Sequence, residues 1–151
     1  MHYDHLQALG PLALGSRFRR LSERLAARSR ELYKAEGVDF EPRWFPLFSL
    51  LLDAGGITVG DAARSLSVSH VAVSRLAGQM KARGLVAATP DAEDRRATRL
   101  TLTEEGSEVV ARLEPLWDDL ALTWSAAMSA TGRDVLDVLD ALDRELLDQK
   151  V

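Results

Sequence analysis

The residues best suited to act on another molecule are arginines and small polar side chains gathered in the middle of the chain. Along SHVAVSRLAGQM, Ser69, His70, Val71, Ser74, Arg75 and Gln79 fall on or near one side of a helical pattern, and Val73, Leu76, Ala77 and Met80 on the other. One apolar face and one polar, basic face is what a helix needs to lie in a DNA major groove. Arg75 can fork onto guanine O6 and N7, Gln79 or His70 can pair with base edges or phosphates, and Val71 can meet a thymine methyl. Ser69 and the helix start suit a phosphate. Further on, PDAEDRRA places Arg95 and Arg96 at the tip of a polar loop between two strand patterns. An arginine on such a tip fits the narrow minor groove, and Asp94, two residues before Arg96, is placed to brace its guanidinium by a bidentate pair. Taken singly, the helix face also reads as a solvated surface and the loop as a hydrophilic turn. Together they point to double-stranded DNA, with a winged-helix protein-interaction module that does not bind DNA as the alternative.

The elements that must carry these residues follow from the apolar spacing. Leu14, Phe18, Leu21, Leu25 and Leu32 predict an amphipathic helix from Pro11 to about Glu36, ended by Gly37. Pro42 opens a second helix, Arg43 to Asp53, rich in Trp44, Phe45, Leu47, Phe48, Leu51 and Leu52 and expected to be almost entirely buried. Thr58 caps a third, with Asp61 in a variant capping box. Leu66, Ser67 and Val68 form a tight turn, and Ser69 caps a fourth helix that runs to about Arg83. LVAAT and TRLTLT form a two-stranded ribbon, and Thr103 to Gly106 start a long helix that Pro115 should bend. A last helix, about Arg133 to Leu147, carries Leu136, Leu139, Leu142 and Leu146, with Thr131 as its cap. The fold class is therefore mainly α with a small β-ribbon wing.

Charge is unevenly spread. The net is −4, but residues 64–103 hold 7 basic and 3 acidic side chains, whereas residues 104–151 hold 4 and 12. The central stretch is a positive island, and the acidic C-terminal third would be repelled by a phosphate backbone, which orients the molecule on it. With no cysteine there is no disulfide, thiolate metal site or thiol sensor. The chain also lacks G-x-S-x-G, a phosphate-binding glycine loop, and any His besides His70 outside the N-terminus, so no enzyme is expected. Asp118 and Asp119, adjacent on a helix, face different directions. His2, Asp4 and His5 sit at a fraying end and are not taken as a metal site. No cofactor is expected. No apolar run reaches the ~20 residues of a membrane span and the start is not a signal peptide, which makes a cytoplasmic location the expectation.

ITVGDAARSLSVSHVAVSRLAGQMKARGLV followed by DAEDRRATRLTLTEEG resembles the MarR family (multiple antibiotic resistance regulators), above all in the spacing of Asp94, Arg96, Leu100, Leu102, Thr103 and Gly106. The resemblance implies a dimeric winged-helix regulator in which Ser69 to Arg75 begin the recognition helix and Arg96, supported by Asp94, enters the minor groove. One departure is Ser67, where the family turn usually has Gly; a positive φ there would strain Ser. Residues 1–151 are then a single domain, with 55–103 as the winged helix-turn-helix lobe and 1–54 with 104–151 as a helical dimerisation region. The terminal apolar stripes exceed what one small lobe can bury, so a homodimer on a pseudopalindromic operator is expected, acting as a repressor. The resemblance also implies a small aromatic or phenolic effector. Arg17 with Trp44, Phe45 and Phe48 are its candidate lining, though the same aromatic stripe reads equally as core.

Overall fold

Short capped helices around a small sheet make up the middle of the chain, and longer helices lie on either side in sequence. The structure is a computed structural model and describes residues 4–148, so His2 lies outside the described residues. Among the described residues no group of His, Asp and Glu is arranged to hold a metal ion, and no helix is long and apolar enough to cross a membrane. The chain divides into two compact units, 1–113 and 114–151.

The first unit opens with α1 (His5–Ala8) and a 3-10 turn at Gly10–Ala13 before α2 (Leu14–Ala35). The helix expected from Pro11 thus opens as a 3-10 turn and becomes α-helical only at Leu14, while the positive φ of Gly10 separates it from α1. Leu14, Phe18, Leu21 and Leu25 are all exposed on α2. A second 3-10 turn, Pro42–Trp44, leads into α3 (Phe45–Ala54). Helix α3 is less buried than its composition suggests: Leu47, Phe48 and Leu51 are core, whereas Phe45 and Leu52 are exposed. Phe40 stacks edge-on against Tyr33, Trp44 and Phe48.

The wing is a three-stranded antiparallel sheet, not the two-stranded ribbon expected. β1 (Ile57–Thr58) pairs with β3 (Thr98–Leu102), and β3 pairs with β2 (Val86–Pro90), in the order β1-β3-β2. The registers Ile57↔Leu100 and Val86↔Leu102 send Leu100 and Val86 into the core with Val73 and Met80. α4 (Val59–Ser65) and α5 (His70–Ala82) lie between β1 and β2.

At the end of β3 the Thr103 hydroxyl donates to the Gly84 carbonyl (2.5 Å) and accepts from the Gly106 N–H (3.0 Å). A side chain at 106 would run into the Leu85 carbonyl, which explains glycine there. α6 (Glu104–Ser129) starts at this junction and continues as helix through Pro115. In the second unit, α7 (Val135–Asp148) is capped by Asp134, whose carboxylate accepts from the Asp137 N–H (3.0 Å). The expected cap, Thr131, instead closes the preceding turn by accepting from the Arg133 N–H (3.2 Å). Leu136, Val138, Leu139, Leu146 and Leu147 remain exposed on α7.

Candidate nucleic-acid interface

Two side-chain caps and one strained turn set the angle between α4 and α5. The Thr58 hydroxyl accepts from the Asp61 N–H (3.1 Å), and it donates to the Asp61 carboxylate (2.6 Å). The shorter Asp takes the hydroxyl where a longer Glu would reach the cap's own N–H. Asp61 also pairs with Arg64. The Thr58 hydroxyl, then Arg64, hold the Asp61 carboxyl below its usual range. Between the helices Ser67 has φ 53°, the one non-glycine with positive φ among the described residues. Ser69 then caps α5 by accepting from the Ala72 N–H (3.1 Å).

On α5 the apolar side carries Val73, Ala77 and Met80 into the core. His70, Val71, Ser74, Arg75 and Gly78 are exposed on the other side, with Ser74 Oγ 3.5 Å from His70 Nδ1. Gln79 departs from expectation. Its carbonyl oxygen accepts from the Trp44 indole N–H (3.1 Å), because an indole at 2% exposure needs an acceptor inside the fold. Arg83, at the end of α5, stands over the same indole, 5.7 Å from the ring centroid, and pairs with Asp39. The base of α5 is thus tied to the loop before α3.

The wing is organised by a residue that the spacing did not single out. Asp91 is 4% exposed, and its carboxylate accepts from the Glu93 and Asp94 N–H groups (both 3.0 Å) and from Arg99 Nε (2.7 Å). Arg99 also donates to the Gly56 carbonyl (3.0 Å), which joins the hairpin to the residue before β1. The Asp94 N–H above all, then Arg99, keeps the Asp91 carboxyl below the usual carboxylate range. Asp94 supports the tip, but through the backbone: its carboxylate accepts from the Arg96 N–H (3.0 Å), and its carbonyl accepts from the Ala97 N–H (2.8 Å). The bidentate brace expected between Asp94 and the Arg96 guanidinium is not formed, since the turn brings the carboxylate to the main chain.

Arg95 and Arg96 are exposed at the tip and, like Arg75, are in no ion pair among the described residues. Arg64, Arg83 and Arg99 are paired with Asp61, Asp39 and Asp91. A groove of about 520 Å³ lies between α4, the start of α5 and the wing, with Gly60, Arg64, His70, Asp94 and Arg96 on its walls.

The candidate effector residues do not share one lining. Trp44 and Phe48 are packed into the aromatic core with Phe40, and Phe45 is exposed. Arg17 lines a separate groove of about 500 Å³ with Leu14, Phe18, Leu21 and Arg24. Beside it Arg20 holds Asp4 through two hydrogen bonds (3.0 and 2.8 Å), which lower the Asp4 pKa.

Comparison with known proteins agrees with this geometry. Residues 38–97 match the model of the MarR family. The transcriptional activatory protein BadR of Rhodopseudomonas palustris is 45% identical over 78 residues, which cover 50% of this chain and 44% of that protein. The chain therefore aligns with less than half of this relative's length. Among solved structures, the PcaV transcriptional regulator of Streptomyces coelicolor, in complex with its natural ligand, superposes with a TM-score of 0.69 at 19% identity, covering 99% of both chains. A mutant MarR of E. coli complexed with operator DNA superposes with a TM-score of 0.70 at 20% identity, covering 96% of this chain and 99% of that one. Residues 38–97 are thus similar to the MarR family, and the chain has the fold of these solved regulator structures.

Proposed function

We propose that the protein regulates transcription by binding a specific duplex DNA sequence as a homodimer. The observation that carries this reading is the distribution of paired and unpaired arginines. Arg64, Arg83 and Arg99 are held by carboxylates, while Arg75 on α5 and Arg95 and Arg96 on the wing project without an acidic partner. Exposed arginines on a helix face and on a hairpin tip suit the major and minor grooves of one duplex. The acidic excess of residues 104–151 keeps that end of the sequence off the phosphates.

The exposed leucines of α2 and α7 supply apolar surface for a second copy. A two-fold dimer then reads a pseudopalindrome with half-sites about 34–36 Å apart. Repression by occupancy of the operator is the simplest outcome, and the name of the 45% identical relative favours activation as a second reading. A small aromatic or phenolic ligand releases the DNA in this proposal; the groove at Arg17 and Phe18 offers a cation beside a ring.

Selection of bound fragments from random duplexes tests the proposal. The expected product is an inverted repeat with centres about one helical turn apart, competed away by a phenolic acid. Recovery of no common sequence would contradict specific binding, and a single unrepeated site would contradict the dimer.

A further inference from the structure

This inference rests on the DNA-binding reading above and concerns what α5 reads. Val71 is 68% exposed, in the middle of a face otherwise made of Ser74, Arg75 and His70. Gly78 follows it by seven residues, two helical turns, and so lies on the same line of the helix, opposite the buried Val73 and Met80. After proline, glycine is the least favourable residue for a helix interior. A Cβ at Gly78 would meet nothing within 4 Å, so packing within the fold does not require glycine there. A residue unfavourable to the helix and unneeded by the core fits a place where something outside the chain comes close.

We propose that Val71 and Gly78 form a seam that seats α5 deep in the major groove, where Val71 contacts a thymine methyl. Gly78 gives clearance to the sugar-phosphate backbone at the far end of the contact. Arg75 lies one turn beyond Val71, about 6 Å along the axis at the helical rise of 1.5 Å per residue. That distance equals roughly two base-pair steps of about 3.4 Å. Each half-site therefore carries a thymine within two base pairs of the guanine that Arg75 reads.

The experiment replaces each thymine of the selected duplex with deoxyuridine, which deletes one methyl and leaves pairing intact. One position per half-site is expected to cost about fourfold in affinity, the value of one buried methyl group. Val71→Ala should abolish that cost at the same position. Gly78→Ala should melt no lower than the parent protein, yet bind the specific duplex roughly tenfold more weakly as Arg75 loses its reach. A flat methyl scan, a methyl effect that persists in Val71→Ala, or parental affinity in Gly78→Ala would each overturn the inference while leaving DNA binding intact. Failure of the parent protein to select any duplex would overturn both readings.

Discussion

Asp91 stays charged inside the wing because two N–H groups and the Arg99 guanidinium converge on its carboxylate. Its folded pKa lies below the unfolded value of about 3.9. The carboxylate therefore stabilises the wing above that value, and the stabilisation is lost as pH falls through the folded pKa. Across neutral pH the wing should be insensitive to acid. Removing the carboxylate has a different effect, because it frees the 91–99 hairpin and Arg99 together. Asp91→Ala is expected to speed tryptic cleavage after Arg95 and Arg96 by about tenfold at pH 7, since a cost of about 1–3 kcal/mol follows from unsatisfied partners. An unchanged cleavage rate would show that the wing is held by the strands alone. Ser67 is the residue that the fold strains: its φ of 53° places a Cβ in the left-handed region, which glycine tolerates better.

At the scale of elements, the caps at Thr58 and Ser69 and the break at 66–68 were legible because their signals are local, within three or four residues. What spans a long sequence distance was not. β1 is two residues long and finds its partner some 40 positions away, so no periodicity announces it. Gln79 sits between the two faces of α5, and its turn towards the interior depends on Trp44, 35 positions earlier. Likewise Asp91 and Asp94 both precede the tip, and the shape of the turn decides which of them meets a guanidinium. This tether gives Gln79 a part in supporting α5. Gln79→Leu should cost about 1–3 kcal/mol of stability in urea unfolding, because a buried indole N–H loses its acceptor. Base preference in a selected duplex should survive the change. Unaltered stability with altered base preference would return Gln79 to the DNA face.

For the whole molecule, the net charge of −4 conceals a basic centre between neutral and acidic ends. Folding narrows that basic centre, since carboxylates neutralise Arg64, Arg83 and Arg99 and leave Arg75, Arg95 and Arg96 to act outward. The contrast between paired and unpaired arginines was only partly legible, because pairing is decided by the fold and not by composition. The terminal leucine stripes were legible as apolar surface, and the structure leaves Leu14, Leu21 and Leu25 on α2 and Leu136, Leu139 and Leu146 on α7 exposed, whereas Leu113 and Leu120 of α6 are buried. The central claim is that the unpaired arginines meet a duplex, with the wing contributing charge and α5 contributing sequence. The most direct test is the slope of log affinity against log salt on the selected duplex, for the parent protein, Arg96→Ala and Arg75→Ala. Arg96→Ala should flatten the slope by about one unit and keep the base preference, while Arg75→Ala should relax the preference at one position. Identical slopes for the parent protein and Arg96→Ala would contradict the wing's place on DNA.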